Sequence, residues 1–516
     1  MCVHGNRAVA QLQVSGCWGM GADMKTCGEI FKDMGTIIGN PDEPIERLTY
    51  RSNAVQPGDA FFCIVGLSVD GHSFAQDAVD RGAKVLVVER KLYLVDSSDV
   101  TLVVVSDSRK ALAAAAARFY DNPSASMDLV GITGTNGKTT TTYLVDHVVS
   151  CAGKRCGVIG TVGIKVGDQT QKSARTTPES SDLQALFARM RDERCDVVAM
   201  EVSSHALDLM RTWGTTFAVT AFTNLTQDHL DYHQTFEAYF EAKARLFSRE
   251  YPARRVISID DGWGRELLKR CSAADDSVIT TGFSDDALIH PIQVEYGRTS
   301  TTLTLDVRGE ALTFTYPLVG KFNVSNVMTA FGIAVQLGIA PRAVAKALES
   351  ASGVPGRMEL VRTAHDGGVA VFVDYAHTPD ALKKALGSLM ALNPNRTAVV
   401  FGCGGDRDAT KRSIMGRAAL AADFAVVTSD NPRSEDPLDI IDDILAGMGE
   451  PSDTFAVEPD RRCAIARAIA WCEPGDAVLI AGKGHEDYQI MGDTTIHFDD
   501  REVAAEELEK AFGATE

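Results

Sequence analysis

The segment GITGTNGKTTTT has the residue types and the spacing of a phosphate-binding loop. Gly134 and Gly137 would let backbone amides approach phosphate oxygens. Lys138 would supply a positive charge, and the Thr139 hydroxyl could ligate magnesium. Ile132 stands where the strict pattern has its first glycine. A glycine-rich turn is the alternative, but the apolar run before the loop and the helical pattern after it favour phosphate binding.

Two polar segments further along could serve the same chemistry. VVAMEVSSHALDLMR carries Glu201 at the end of an apolar run, and FTNLTQDHLDYH brings carboxylates and imidazoles together around His229. These groups could complete a magnesium site beside a transferring phosphoryl group. A capped loop with hydrogen-bonded histidines is the alternative for either segment taken alone.

A third segment, DNPR, could bind a ligand that carries both charges. Arg433 offers a planar fork that suits a carboxylate, while Asp430 and Asn431 could receive an ammonium group. The alternative is an ordinary turn at a strand end with a solvated arginine.

The elements that would position these residues fall into three regions. An Ala-rich helix within SDSRKALAAAAARFYDNP, with Ser or Asp as its cap, ends the first region. The second opens with MDLVGIT and includes STTLTLDVRGEALTFTYPLVG, whose alternation predicts an antiparallel portion. The sequence ASGVPGRME marks the second boundary. The predicted domains are 24–125, 126–352 and 353–516, after a possible N-terminal extension at 1–23.

The third region repeats a pattern of a short apolar run, a polar turn and a helix. The runs are GVAVFVDYAH, TAVVFGCGGDRD, FAVVTSDNPR and AVLIAGKGHED. Such runs predict a doubly wound parallel sheet whose ligands bind at the carboxyl ends of the strands. The polar clusters fall at that end.

The composition restricts the class of protein. A net charge of -19 over 516 residues argues against general nucleic-acid binding, although small anionic substrates need only a local positive site. Eleven cysteines without a CxxC pair are typical of a reducing compartment. The sequence contains no apolar run near the roughly 20 residues that cross a bilayer. We therefore expect a cytoplasmic protein that binds neither nucleic acid nor membrane.

Nine motifs occur in the order seen in Mur ligases, and the chain resembles that family over about residues 25 to 505. They are GTNGKTT, EVSSHAL, TNLTQDHLDYH, GKFNVSN, GVPGRME, VDYAHTPDAL, FGCGGDRD, DNPR and AGKGHEDYQ. The resemblance implies an α/β fold of three domains: an N-terminal α/β domain that binds a uridine nucleotide, a central P-loop ATP-binding domain with a mostly parallel sheet, and a C-terminal, Rossmann-like doubly wound domain.

The resemblance also implies roles for individual residues. The catalytic and metal-binding positions would be Lys138, Thr139, Glu201, His229 and Lys243. Lys243 matches a lysine that is carbamylated to N6-carboxylysine in the family, and this modification turns a cation into an anion able to bind Mg²⁺. Without the resemblance, Lys243 would be read as a solvated helix lysine.

Three groups of binding residues follow from the same resemblance. ATP would contact Gly134, Thr135, Asn136, Gly137, Lys138, Thr139, Thr140, Asn323, Arg357, Asp374 and His377. The UDP-linked muramoyl dipeptide would contact Ser52, Thr176, Thr177, Ser203 and Arg211. The incoming amino acid would contact Arg407, Asp430, Asn431, Arg433, Gly482 and Glu486.

The sequence departs from the family pattern in the first domain and near the dipeptide. The family has Asp-Ser-Arg near a strand end, whereas this chain has Arg51, Ser52 and Asn53. Leu209 stands where some relatives have glutamine. These departures concern the predicted uridine and dipeptide contacts.

The implied activity is ATP- and Mg²⁺-dependent addition of an amino acid to a nucleotide-linked peptidoglycan precursor through an acyl phosphate. The charges around Arg433 favour meso-diaminopimelate over lysine. A folylpolyglutamate synthase-like ligase and a nucleotide-binding switch are the alternatives. We expect a monomer in which the third domain closes over the second about a hinge at Gly353–Gly356, so that the phosphate loop and the amino-acid site face one cleft.

Overall fold

The computed structural model describes most of the chain. The described residues are 24–66, 69–93, 99–173, 175–271, 277–297, 299–351, 353–449 and 452–513. The predicted N-terminal extension at 1–23 lies outside them. The chain forms two compact units. The first contains the described parts of Met1–Asn136, Gly153–Val256 and Glu266–Val278, and the second those of Gly137–Ala152, Ile257–Arg265 and Ile279–Glu516.

The N-terminal region is built on a five-stranded sheet of order β1-β5-β4-β3-β2, in which only β1 is antiparallel to its neighbour. Its elements are α1 (Cys27–Phe31), β1 (Gly35–Ile38), β2 (Leu48–Thr49), β3 (Ala60–Phe62), α2 (Ala75–Asp80), β4 (Val85–Val88), β5 (Thr101–Val105) and α3 (Ser108–Phe119). Asp107 caps α3 by accepting hydrogen bonds from two backbone amides, which settles the choice between Ser and Asp.

The central region begins with strands and helices that alternate. Its elements up to residue 281 are β6 (Asp128–Thr133), α4 (Lys138–Cys151), β7 (Cys156–Ile159), β8 (Ile164–Val166), β9 (Gln169–Gln171), α5 (Ser180–Asp192), β10 (Val197–Glu201), α6 (Ser204–Asp208), β11 (Val219–Phe222), α7 (Leu230–His233), α8 (Phe236–Ala244), β12 (Arg254–Ser258), α9 (Gly262–Arg270) and β13 (Val278–Thr281). Strand β6 pairs in parallel with β10 and β11. The carboxyl ends of these three strands therefore lie at the same edge, as a nucleotide site requires.

The rest of the central region contains the predicted antiparallel portion. Its elements are β14 (Ile289–Tyr296), β15 (Thr301–Val307), β16 (Glu310–Tyr316), α10 (Lys321–Gln336) and α11 (Pro341–Leu348). Strand β15 pairs antiparallel with both β14 and β16, and its residues alternate between buried and half-buried. The alternation in the sequence predicted this arrangement correctly.

The C-terminal region is a doubly wound sheet of order β17-β18-β22-β19-β20-β21, parallel except for β17. Its elements are β17 (Glu359–Leu360), β18 (Ala370–Asp374), α12 (Pro379–Met390), β19 (Thr397–Phe401), α13 (Arg412–Ala419), β20 (Phe424–Val427), α14 (Pro437–Leu445), β21 (Phe455–Val457), α15 (Arg461–Trp471), β22 (Ala477–Ala481), β23 (Tyr488–Met491), β24 (Thr494–His497) and α16 (Asp500–Phe512). Apolar clusters cover both faces of the sheet, which confirms the predicted architecture.

The three regions confirm the predicted α/β fold class, with a mostly parallel central sheet. The domain bounds themselves stay a prediction. No helix in the described part of the chain is long and apolar enough to cross a membrane.

Candidate active site

The first half of the phosphate loop follows β6 directly and lies in the first unit. Gly134 has a φ of +148°, and a Cβ there would lie 1.9 Å from Thr223 Oγ1, so only glycine fits. The amide of Thr135 donates to Asn224 O at 2.8 Å, and that of Asn136 donates to Asn224 Oδ1 at 3.0 Å. The segment after β11 therefore fixes this half of the loop.

The second half of the loop lies in the second unit, where Gly137 caps α4 with a φ of +86°. A Cβ on Gly137 would lie 2.2 Å from Asn326 Oδ1. The Asn326 side chain donates to Asn323 Oδ1 at 3.2 Å, and Asn323 donates to Val319 O at 2.9 Å. Asn323 is thus close to the loop, as predicted for an ATP contact. Sequence reasoning missed Asn326, although its position three residues further along a helix was a usable signal.

Helix α4 begins at Lys138 and runs for 14 residues. Thr139 and Thr140, both nearly buried, follow in its first turn. The amides at the start of a helix of this length favour a bound anion. The arrangement is chemically suited to phosphate.

Lys243 reaches the first half of the loop from α8. Its side chain is 1% exposed, and Nζ donates to Gly134 O at 2.8 Å while lying 4.5 Å from the centre of the Tyr239 ring. A solvated surface lysine, the alternative from sequence, is excluded by this burial. The structure therefore places the predicted carbamylation site against the phosphate loop.

Glu201 ends β10 and is 1% exposed. Its carboxylate accepts hydrogen bonds from Thr161 N at 2.8 Å and from Thr161 Oγ1 at 3.1 Å. Thr161 Oγ1 lies 3.0 Å from Thr176 Oγ1, and Thr177 Oγ1 donates to Glu201 O at 2.9 Å. The predicted metal ligand and two predicted dipeptide contacts therefore form one hydrogen-bonded cluster.

Two further dipeptide candidates belong to the same neighbourhood. Ser203 caps α6, and its hydroxyl lies 3.4 Å from Thr177 Oγ1. The Arg211 guanidinium donates to Thr177 O at 3.2 Å. Burial lowers the pKa of Arg211, against the opposing effect of Glu179. Ser52, from the N-terminal region, lines the same cavity as Arg211.

His229 lies among aromatic rings and has a positive φ of 52°. Its ring centre is 4.8 Å from that of His205 and 6.2 Å from that of Tyr239. The imidazole is 46% exposed, and Nε2 lies 3.5 Å from Asp228 Oδ2. His229 is thus accessible to a ligand, whereas His233 is buried against the Ser204 hydroxyl.

The chemistry of the predicted donors suits Mg²⁺ better than a transition metal. The described residues contain no cluster of three or more His, Cys, Asp and Glu that could hold a metal ion. Mg²⁺ takes one or two carboxylates and fills its shell with water and phosphate oxygens. The buried carboxylate of Glu201 fits that preference, and Lys243 would add a second carboxylate if it carries the predicted carbamate. The His229 imidazole is a softer donor.

The amino-acid candidates of the C-terminal region meet at the carboxyl ends of β20 and β22. The Asn431 amide donates to Glu486 Oε2 at 2.9 Å and accepts from Lys483 Nζ at 3.2 Å. A Cβ on Gly482 would lie 2.4 Å from Asp430 Oδ2. Burial raises the pKa of Glu486 and lowers that of Lys483. Sequence reasoning missed Lys483, although it lies within the AGKGHEDYQ motif.

Two arginines complete this cluster. Arg433 has a φ of +54°, and its guanidinium donates to Gly405 O at 2.8 Å. A Cβ on Gly404 would lie 2.9 Å from Arg433 Nη1 and 3.9 Å from Arg407 Cγ, so the two arginines flank Gly404. The cluster can therefore pair with a carboxylate and an ammonium group on one ligand.

The remaining residues that are predicted to contact ATP lie near the start of the C-terminal region. Asp374 Oδ2 accepts from the amide of Met358 at 2.7 Å. The Arg357 guanidinium lies 5.1 Å from the centre of the Tyr375 ring, and His377 Nδ1 lies 2.8 Å from Tyr375 O. The structure brings Arg357, Asp374 and His377 together around Tyr375.

The protein is a multidomain α/β protein of the nucleotide-binding class. This follows from the glycine-rich loop at the start of a helix and from the cluster of acidic and basic side chains at the ends of parallel strands. Three sequence models of Mur ligases match the chain: the Mur ligase catalytic domain at 44–120, the middle domain at 132–334 and the glutamate ligase domain at 356–484. The chain belongs to the Mur ligase family.

Two curated relatives share one name. A UDP-N-acetylmuramoyl-L-alanyl-D-glutamate–2,6-diaminopimelate ligase from Geobacillus thermodenitrificans is 46% identical over 474 residues, covering 90% of this chain and 95% of the relative. The ligase of that name from Clostridium botulinum is 43% identical, covering 91% and 96%.

Solved structures agree in fold. A structure of a ligase of the same name superimposes with a TM-score of 0.70 at 30% identity, covering 94% of this chain and 99% of the other. A folylpolyglutamate synthase from Mycobacterium tuberculosis has a TM-score of 0.58 at 20% identity and covers 78% of this chain and 95% of the other. That likeness concerns the fold alone.

Proposed function

We propose that this ligase joins meso-diaminopimelate to UDP-N-acetylmuramoyl-L-alanyl-D-glutamate, using ATP, in peptidoglycan precursor synthesis. The observation that carries the proposal is the C-terminal cluster of Asp430, Asn431, Arg433 and Glu486, in which both charge signs meet at strand ends. The shared name of the relatives points to the same amino acid.

The cluster suits diaminopimelate because the far end of this amino acid carries a carboxylate and an ammonium group. The planar guanidinium of Arg433 can pair with the carboxylate, and Arg407 lies close by. Asp430 and Glu486 supply anions for the ammonium group. Lysine has no distal carboxylate and would leave the arginine unpaired.

The reaction requires activation because a carboxylate is a poor acylating agent. The D-glutamyl side-chain carboxylate takes the γ-phosphoryl group of ATP, which gives an acyl phosphate and ADP. The amine of diaminopimelate then attacks the acyl carbon, and phosphate and one proton leave as the amide forms. Lys138 and the amides at the start of α4 stabilise the charge that develops on the transferring group.

Mg²⁺ would neutralise charge on the phosphates, with Thr139 as its ligand at the phosphate loop. Glu201, His229 and carbamylated Lys243 would be ligands of a metal ion on the first unit. The Lys243 side chain is already buried against Gly134 O, which favours a role beside the nucleotide. Asn323, Arg357, Asp374 and His377 would complete ATP binding from the central and C-terminal regions.

We also infer that the protein acts as a monomer in the cytoplasm on three small molecules, since ATP and nucleotide-linked precursors are cytoplasmic. The proposal requires the start of α4 and the amino-acid cluster to converge on one bound precursor during the reaction. The proposed reaction involves neither nucleic acid nor a membrane.

Release of ADP and phosphate by the purified protein tests the proposal. Release should require both the dipeptide precursor and diaminopimelate, since the acyl phosphate forms on one and is consumed by the other. Slow hydrolysis indifferent to any amino acid would instead support a nucleotide-binding switch. Release with folate and glutamate would support a folylpolyglutamate synthase-like ligase.

A further inference from the structure

A cavity in the first unit is strongly basic, in contrast to the acidic chain as a whole. Its volume is about 490 Å³, and Ser52 and Leu209 form part of its wall. The charged residues of its described lining are Arg51, Arg109, Arg175, Arg211 and Glu179. Four arginines against one glutamate leave a formal charge of +3 in a protein of net charge -19. Such a cavity favours an anionic ligand.

The single glutamate is already engaged by two of the arginines. Glu179 Oε2 lies 3.2 Å from Arg211 Nε and 3.4 Å from Arg175 Nη1. Arg109 donates to a backbone carbonyl, Val65 O, at 3.5 Å. Glu179 therefore offsets one positive charge, and its ion pairs are with Arg175 and Arg211 rather than with Arg51 or Arg109.

Arg51 is held in place by the Tyr50 side chain, while Asp182 and Glu179 attract its charge from further away. Its guanidinium carbon lies 5.3 Å from the centre of the Tyr50 ring, and Nη2 donates to Tyr50 Oη at 3.1 Å. The Tyr50 hydroxyl in turn donates to Asp182 Oδ2 at 3.3 Å. No carboxylate of the described residues forms an ion pair with Arg51. The side chain is exposed, oriented and able to pair with an anion.

Arg51 is also where the chain departs from the Asp-Ser-Arg pattern of the family. Compared with that pattern, an arginine stands at the first position and an asparagine at the third. Both positions line the cavity. We propose that Arg51 binds anionic oxygens of the nucleotide-linked precursor and sets the affinity for it. This inference rests on the proposed function, and the oxygens could belong to the diphosphate or to a carboxylate of the dipeptide.

Steady-state kinetics of Arg51→Asp, which restores the residue of the family pattern, test the inference. We expect the KM for the precursor to rise by about tenfold or more, because a charge-assisted hydrogen bond is lost. The KM values for ATP and diaminopimelate and kcat should change less than about twofold, since those ligands bind elsewhere. The double variant Arg51→Asp with Asn53→Arg should recover most of the affinity. Arg81→Ala, which removes an exposed arginine paired with Asp77, is the matched control.

Calorimetric binding of uridine, UDP and the full precursor identifies the anion without requiring turnover. Weaker binding of UDP and precursor, but not uridine, by Arg51→Asp assigns the diphosphate. Weaker binding of the precursor alone assigns the dipeptide carboxylate. Unchanged binding of all three by a folded variant, with an unchanged precursor KM, overturns the inference. If the wild-type protein binds UDP through Arg51 yet forms no product, the proposed function fails while the Arg51 site stands.

Discussion

Lys483, which is buried, and Glu486, which is half-buried, place charges of opposite sign against one amide, that of Asn431. The side chain of Lys483 is 0% exposed, and its Nζ lies 3.7 Å from Glu486 Oε2. Such a pair orients Asn431 and leaves the carboxylate available to a ligand ammonium group. We therefore expect amino-acid selection to depend on charges that are largely shielded from bulk water.

Glu486 should make amino-acid binding sensitive to acid. Burial raises its pKa, so the carboxylate protonates at a higher pH than an ordinary glutamate. The KM for diaminopimelate should rise as the pH falls through this raised pKa. In Glu486→Gln the KM should be about tenfold higher and flat over the same range. KM values across the pH range check this, and an unchanged, still pH-dependent KM in the variant would contradict it.

The same raised pKa has the opposite consequence for folding. The folded protein holds this proton to a higher pH than the unfolded chain does, so the contribution of Glu486 to the free energy of unfolding falls as the pH rises between the two pKa values. Glu486→Gln should therefore be at least as stable as the wild type at neutral pH. Urea unfolding measures this, and a large loss of stability would show that the carboxylate is structurally required.

Lys243→Ala tests the carbamate. We expect kcat to fall on the order of a hundredfold or more, because an anion beside the phosphates is lost. Short carboxylates should partly restore turnover, since they can occupy the vacated space. Lys243→Arg keeps a cation but cannot be carbamylated, so it should stay inactive if it folds, as judged by thermal unfolding. Full activity in Lys243→Ala, or failure of rescue in a folded protein, would remove the carbamate from the mechanism.

At the scale of elements, much of the fold could be predicted because its signals are local. The order of strand, loop and helix from β6 to α4 follows from neighbouring residues, and so does the cap of α3 by Asp107. The apolar run from Ala60 to Val65 predicts a strand of that length, whereas β3 ends at Phe62. Beyond it the chain turns back, and Gly71 N donates to Ile64 O at 2.8 Å.

The parts that could not be predicted depend on contacts between distant segments. The burial of Lys243 requires Gly134, which lies 109 positions earlier in the chain. The contact of Asn326 with the loop and the meeting of Lys483 with Asn431 also join separate elements. Family resemblance supplied Lys243. Helix spacing and the AGKGHEDYQ motif could have pointed to Asn326 and Lys483 as residues, but not to the partners that they contact.

The two glycines of the predicted hinge at Gly353–Gly356 differ in how closely other atoms pack against them. A Cβ on Gly356, which has a φ of +65°, would lie 2.1 Å from His485 N and 2.2 Å from Gly484 C. At Gly353 the nearest atom would be Leu318 Cδ2 at 3.7 Å. Gly356 is therefore packed against the backbone next to Glu486, and any hinge freedom belongs nearer Gly353.

Substituting alanine for each glycine in turn tests this difference in packing. Gly356→Ala should lower the free energy of unfolding by about 1–3 kcal/mol, through backbone overlap and a strained φ. Gly353→Ala, the matched control, should change it by less than about 0.5 kcal/mol. Urea unfolding measures both, and equal stabilities of the two variants would contradict the packing described for Gly356.

At the scale of the whole molecule, a chain of net charge -19 binds anionic substrates through local positive sites. The start of α4, the basic cavity and the arginines near Gly404 are three such sites, one for each proposed substrate. We therefore expect product to form only when all three ligands are bound together.

The mass of the product tests the central claim most directly. The purified protein is incubated with ATP, Mg²⁺ and the muramoyl dipeptide precursor, together with either meso-diaminopimelate or lysine. The account predicts a product heavier than the precursor by one diaminopimelate residue, formed with one ADP per amide, and little or no lysine product. Comparable or faster formation of the lysine product, or ADP without any adduct, would contradict it.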